Sequence, residues 1–339
     1  MKPVIFGCAG PALSDRERDL FASEQPAGFI LFARNIQSPQ QVKTLTTDLR
    51  LCVDRADVLI LIDQEGGRVQ RMGLPHWRKY PPMAMFGRAA SANYDLAAET
   101  LKLNCLLLAD DLRRTGINVD CLPLLDVPKG GSDDVIGDRA LAKSPDMVTK
   151  LGRIVIDSLQ EAGILPVVKH MPGHGRAQVD SHHVLPRVDT PLEELAATDF
   201  APFQALSDCP LGMTAHIVYE AIDPSAPATL SQQLIGDVIR GTIGFGGLLM
   251  TDDLSMRALS GPMAERAESA LAAGCDLILH CNGDMDEMRQ IAKALPLAAD
   301  RIRSTVANMI EDVGQQMPID RPDIEAKYDA AMQELTSIT

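Results

Sequence analysis

Basic residues are in short supply: Lys and Arg number 32 against 46 Asp and Glu, a formal net charge of −14, and no Lys/Arg block breaks the acidic field. Such a field repels phosphate backbones and anionic lipid surfaces, so nucleic-acid and membrane partners are disfavoured and a small molecule fits better. No apolar run approaches the roughly 18 residues of a membrane helix. No C-x-x-C pair occurs among the seven cysteines (Cys8, Cys52, Cys105, Cys121, Cys209, Cys275, Cys281), which are odd in number and lie mostly in apolar runs. That usage is expected of reduced thiols in the cytoplasm. The opening MKPVIFGCAGPAL faintly resembles a lipoprotein signal, but its apolar stretch is too short and a charged helix pattern follows at once, so it reads as a first strand. Aromatics make up only 4% of the 339 residues, yet 46% are hydrophobic, enough for a large core. Gly/Ser linkers and low-complexity tracts are missing, and one domain over 1–339 is expected.

Eight short apolar runs are present: Val4–Cys8, Gly28–Phe32, Val58–Ile62, Ile117–Cys121, Leu165–Val168, Leu211–Thr214, Gly247–Met250 and Asp276–Leu279. Between them lie segments of helical spacing, including Pro39–Arg55, Leu96–Thr115, Pro145–Ala162, Leu192–Ser207, Ser231–Gly241 and Met263–Ala273. Nearly continuous apolar strands alternating with helices indicate a parallel sheet covered by helices, and eight units indicate a closed (β/α)8 barrel of the TIM type, an α/β fold. Ser38-Pro39, Ser144-Pro145 and Thr190-Pro191 mark helix starts; Gly116, Gly163 and Gly274 mark stops. The Pro-rich stretch from Leu74 to Pro82 reads as a long surface loop. From about 297 to 339 the pattern is helical and charged, broken at Pro318 and Pro322, and is expected to pack on the barrel as extra helices.

Polar residues follow six of the runs: Asp63-Gln64-Glu65, Asp126, Lys169-His170, His216, Asp252-Asp253, and His280 with Asn282. In a barrel these ends share one mouth, where active sites of this fold lie. Strand alternation predicts that one of Asp252 and Asp253 faces the pocket while the other caps a following helix that begins at Asp253-Leu254-Ser255. The segment from Lys169 to His183 is glycine-containing and carries His170, His174, His182 and His183. Metal ligation, acid/base chemistry and simple loop polarity all compete for it, but neither H-x-H nor H-E-x-x-H spacing is present, and no metal is expected. Asp180-Ser181-His182 places a carboxylate two residues from an imidazole, where it can orient the ring and raise its pKa into the range useful for proton transfer. In IDQEGGRVQR neither Rossmann nor P-loop spacing appears; Asp63 and Arg71 are suited to holding hydroxyl groups, with Glu65 as a partner behind them. Arg139 is a further candidate donor.

These residues resemble those of glycoside hydrolase family 3, in particular the NagZ-type β-N-acetylhexosaminidases, through IDQEGGRVQR, IGDRAL, KHMPGHG with its following VDSHH, and LLMTDDLSM, over roughly residues 4 to 290. The resemblance implies that Asp252 is the nucleophile, His182 the general acid/base and Asp180 its dyad partner. Asp63, Arg71, Arg139, Lys169 and His170 would bind the N-acetylglucosamine ring. No cofactor is implied. Retaining hydrolysis follows, through a covalent glycosyl-enzyme on Asp252. Met171 stands where an aromatic residue is frequent.

The resemblance also points to release of terminal β-linked N-acetylglucosamine from 1,6-anhydro-N-acetylmuramyl fragments in cytoplasmic cell-wall recycling, by a monomer. Muropeptides carry carboxylates, so Lys169, Arg71 and Arg139 must offset the global negative field. Rivals are a β-glucosidase of the same family, which usually draws its acid/base carboxylate from a second domain, hydrolysis assisted by the substrate's acetamido group, a non-catalytic sugar-binding barrel, and a metal-dependent hydrolase.

Overall fold

Each apolar run forms a strand in the structure, a computed structural model that describes residues 1–130, 135–181, 183–316 and 318–338. The strands are β1 (Lys2–Gly7), β2 (Pro26–Leu31), β3 (Leu59–Ile62), β4 (Val119–Asp120), β5 (Leu165–Met171), β6 (Leu211–Thr214), β7 (Leu248–Met250) and β8 (Ile278–His280). They pair in parallel in the order β7-β6-β5-β4-β3-β2-β1-β8. The seam between the two ends is closed by a parallel bridge at Met250 and Leu277, with Asp276 N–H donating to Leu249 O at 2.7 Å and Thr251 N–H to Leu277 O at 3.1 Å. The result is the expected (β/α)8 barrel.

Alternate residues of the strands build two apolar sets. Ile5, Ile30, Leu61, Val167, Leu211, Met250 and Leu279 fill the interior, while Phe6, Phe29, Ile60, Val168 and Leu249 face the surrounding helices. Ile302 and Val306, on the helix Asp300–Gly314, join the interior set. The last helix, Arg321–Ile338, lies against Tyr94–Arg114: Tyr328 Oη donates to Asn104 Oδ1 at 3.0 Å, and Arg321 Nη1 reaches Asp110 Oδ2 and Asp111 Oδ1, both at 2.7 Å. Pro322 is therefore not a break. It occupies the first turn of that helix, where its missing N–H has no intrahelical partner to lose.

Ser38 and Ser144 cap their helices through Gln41 N–H and Met147 N–H, each with proline in the first turn, and Gly116, Gly163 and Gly274 are all left-handed. The Thr190-Pro191 signal is shifted: Pro191 itself precedes the helix, with no side-chain cap. The expected helix Leu192–Ser207 is two, Leu192–Thr198 and Ala201–Ala205, divided just before Pro202, which has no N–H to continue the ladder. Leu234–Thr242 is wound as a π-helix.

The Pro-rich stretch is a surface loop only in part: Leu74, Pro75, His76 and Lys79 are exposed on irregular backbone, but its aromatic residues turn inward. Trp77 and Tyr80 are buried, and Tyr80 Oη donates to Asp111 Oδ2 at 2.7 Å. A helix, Met83–Ala92, follows directly. Among the described residues no helix is long and apolar enough to cross a membrane.

Candidate active site

A cavity of about 700 Å³ opens where the strands end. Asp63, Arg71, Arg139, Lys169, His170, Asp180, Asp252, Asp253 and Asn282 all line it, so residues spread over 220 positions of sequence meet in one place. Asp63 follows β3 directly and Lys169 sits within β5; Lys169 Nζ lies 3.0 Å from Asp63 Oδ1 and 2.7 Å from Glu65 Oε1. Arg71 Nη2 holds the other Asp63 oxygen at 3.1 Å, while Arg139 grips Glu65 through Nε and Nη2, each at 2.8 Å. Three cations thus share two carboxylates, a locally positive wall in an acidic protein.

Burial alone would raise the Asp63 carboxyl, but Lys169 and Arg71 outweigh it and hold the group well below the carboxylate range. Glu65 is lowered in the same way by Lys169 and Arg139 against its burial. The Lys169 ammonium is opposed by burial, yet Asp63 and Glu65 push its pKa upward. Asp63, Glu65 and Lys169 are therefore charged at neutral pH, and Asp63, Arg71, Arg139 and Lys169, which line the cavity, offer charge-assisted hydrogen bonds to a polar ligand. Gln64 stands behind them, its Oε1 accepting from Arg71 N–H and Met72 N–H and its Nε2 donating to Met72 O.

Asp126 does not reach the cavity wall. It is wholly buried and binds His170 twice, at Nδ1 (2.8 Å) and at the backbone N–H (3.1 Å), and takes the His174 N–H at 2.6 Å. Burial opposes ionisation of Asp126, but His170 beside it holds its pKa down. The turn after β5 presses close to this segment: a Cβ at Gly175 would sit 2.0 Å from Val127 O. Met171 is fully buried, its methyl over Gly212, where a Cβ would lie 2.6 Å away. The methionine thus fills the space that glycine leaves, and Lys169 and His170 keep a packed support.

Of the two neighbouring acids, both line the cavity, and their hydrogen bonds differ. Asp253 is tied down: its Oδ1 accepts from Ser255 N–H (3.0 Å) and Cys281 N–H (3.1 Å), its Oδ2 from Ser255 Oγ (2.6 Å). Asp252 Oδ1 accepts from Asp253 N–H at 2.8 Å. The expectation that one acid faces the pocket while the other turns away to cap a helix is corrected: both face the cavity. No helix starts at Asp253; the residues after it form turns, and the next helix is Met263–Ala273.

Asp180 and Ser181 lie on the cavity wall, and Asp180 Oδ2 is 3.9 Å from His183 Nε2. His182 lies outside the described residues. His216 and His280 depart from the expected mouth. His216 is buried, bonded to Thr229 Oγ1 (2.7 Å) and Asp253 O (3.0 Å). His280 alternates outward from Leu279 and meets Glu287 Oε2 at 2.8 Å. Among the described residues no group of three or more His, Cys, Asp or Glu is placed to hold a metal ion.

Sequence reading assigned no role to Phe32, Arg34, His174 or Ser181, which line the cavity. Phe32 and Arg34 follow β2, and Phe32 is flanked by the guanidinium groups of Arg34 (5.0 Å) and Arg71 (5.4 Å). A polar-apolar step after the second run, like those after the later runs, was the available signal. His174 and Ser181 are joined by a 3.1 Å hydrogen bond between Nε2 and Oγ.

A barrel with acidic, basic and imidazole groups gathered at its mouth has the layout of a barrel enzyme's active site, and comparison with known proteins gives the class. The model of the glycosyl hydrolase family 3 N terminal domain matches residues 5–311. A β-hexosaminidase of Alkalilimnicola ehrlichii is 40% identical over 291 residues, 83% of this chain and 80% of the relative; one from Methylococcus capsulatus is 40% identical over 282 residues, 82% of each. The solved structure of NagZ from Neisseria gonorrhoeae in complex with N-trifluoroacetyl-D-glucosamine superposes with a TM-score of 0.85 at 29% identity, covering 99% of this chain and 98% of that one. A family 3 β-N-acetylglucosaminidase from Paenibacillus gives 0.82 at 31%, covering 95% of this chain and 62% of its own. The chain belongs to glycosyl hydrolase family 3.

Proposed function

We propose that the protein is a retaining β-N-acetylhexosaminidase that releases terminal β-linked N-acetylglucosamine, with Asp252 as nucleophile and Asp180 with His182 as the acid-base dyad. Asp63, Arg71, Arg139, Lys169 and His170 bind the sugar ring. The observation that carries this reading is that Asp252 and Asp180 line the same cavity as the Asp63–Lys169–Glu65–Arg139 network, while Asp253 is occupied by backbone and serine donors. Asp252 attacks the anomeric carbon as His182 protonates the departing oxygen; water then enters with His182 as base, and the sugar leaves with its configuration retained. Residues 1–339 act as one catalytic barrel whose segment 297–339 braces it.

Support for an N-acetylglucosaminide comes from the names and ligand of the relatives above. The cationic wall accommodates substrates that carry carboxylates, such as 1,6-anhydro-N-acetylmuramyl fragments in cytoplasmic cell-wall recycling. The test is turnover of an aryl β-N-acetylglucosaminide against an aryl β-glucoside, by wild type and Asp252→Ala. The wild type is expected to prefer the acetamido sugar, and Asp252→Ala to lose about a thousandfold or more in kcat. Undiminished turnover by the variant would remove the nucleophile assignment.

A further inference from the structure

We propose that His174 is a positioning residue for proton transfer, acting through Ser181 to hold the neighbouring Asp180 at the cavity; this rests on the dyad reading above. His174 Nε2 lies 3.1 Å from Ser181 Oγ, and the two residues are 3% and 2% exposed. The His174 backbone is in turn fixed by Asp126, the carboxylate that also holds His170. A side chain anchored to the sugar-binding side of the cavity therefore reaches across and holds the chain next to Asp180. Elsewhere in this stretch Gly175 O accepts from Lys129 N–H at 3.0 Å, Asp180 O accepts from His183 N–H and Val184 N–H, each at 3.0 Å, and Arg176 points away to Asp199 at 2.7 Å. Gln178 and Val179 are exposed.

The chemistry of the ring agrees with this use. Its Nδ1 is buried and has no hydrogen-bond partner among the described residues. Burial, with His170 at 5.5 Å between ring centroids, lowers the pKa to about 4, so the ring is neutral. A neutral imidazole offers one donor and one acceptor, and a hydroxyl can meet either. An orphaned buried nitrogen carries a desolvation cost that a phenylalanine of similar size would avoid. Packing alone does not call for histidine here; the bond to Ser181 does.

The test compares His174→Phe, Ser181→Ala and their double variant on a poor leaving group, diacetylchitobiose, and on an activated one, a dinitrophenyl N-acetylglucosaminide. Proton donation matters only for the first. Each single variant is expected to lower kcat/KM on diacetylchitobiose by about tenfold with KM little changed, a fraction of the full worth of a general acid, and to leave kcat/KM on the activated substrate within about twofold, because that constant reports only the step in which the aglycone departs. The double variant is expected to be no slower than the worse single one, because both changes break one contact. Equal slowing of both substrates, or effects that multiply, overturns the proposal. Should His174→Phe fail to fold, Ser181→Ala decides alone. Asp180→Asn is measured alongside. If it is selective for the poor leaving group while the other variants are not, the positioning role fails and the dyad stands; if it is not selective, the dyad fails and this proposal with it.

Discussion

Lys169 Nζ rests 2.7 Å from Glu65 Oε1, with 2% and 1% of the two side chains exposed, and the same carboxylate receives both prongs of the Arg139 guanidinium. One buried acid is thus shared by two of the cations that face the cavity. Glu65→Gln leaves those cations with Asp63 as their only charged partner in the network. A buried pair broken at one end costs about 3 kcal/mol or more. The urea midpoint is expected to fall, and KM for an N-acetylglucosaminide to rise more than kcat drops. An unchanged midpoint would show that Glu65 is no counter-ion.

Acid should weaken the fold in two stages. His174 and His216 are buried and their pKa values are lowered, chiefly by that burial. Below the free-histidine pKa the unfolded chain binds protons that the folded one refuses, so stability falls as pH drops from 6.5 toward about 4. Each group contributes a slope approaching roughly 1 kcal/mol per pH unit inside its window. Asp63, Glu65 and Asp126 have depressed values, so their contribution is present above the ordinary carboxylate range and is lost below it. Urea titrations from pH 7 to pH 5 (approximate limits set by the histidine window) should show falling stability in the wild type and a shallower slope in His174→Phe. Buried Asp120, whose pKa is pushed up by its burial, acts in the opposite sense, so the difference between the two slopes is the measure, and equal slopes would contradict the buried-neutral assignment.

His182→Ala is expected to slow hydrolysis of alkyl or sugar aglycones by about a hundredfold or more, and of dinitrophenyl aglycones far less, since an activated phenolate leaves without a proton. Comparing kcat/KM on the two substrates checks this. Parallel losses would take the acid role from residue 182.

Six of the seven cysteines are buried and Cys52 is half-buried. Burial pushes the Cys281 thiol well up, with Asp253 and Asp63 adding to it, so its place on the cavity wall does not make it reactive. Titration of the native protein with an aromatic disulfide reagent should modify one thiol, and Cys52→Ser should abolish even that. Rapid loss of activity at a second thiol would show that Cys281 is accessible.

The barrel was legible because parallel strands are buried on both faces: Leu59–Ile62 and Leu165–Val168 announce themselves as unbroken apolar runs. Met263–Ala273 was legible down to its ends, set by Pro262 before it and left-handed Gly274 after it. Local composition failed at Leu74–Pro82, where prolines correctly mark irregular backbone but say nothing of whether Tyr80 finds Asp111. Strand-end polarity located Asp63, Lys169 and Asp252. It could not separate residues facing the cavity from those one layer behind, because His216 and Asp126 obey the same rule and are buried by partners distant in sequence. His174 was visible as one of four clustered histidines, but the role argued for it depends on Ser181, a contact that no spacing rule encodes.

The joint between β7 and β8 has a bearing on synthesis. Asp252 sits at that joint, and Asp253 beside it is fastened by the N–H of Cys281, just past β8, while β8 pairs with β1 at the opposite end of the chain. A ribosome must therefore deliver some 280 residues before the chain can draw its first strand against its last. Until then the carboxylates of the seam have no frame, and a half-made polypeptide carries no working hydrolase into the cell.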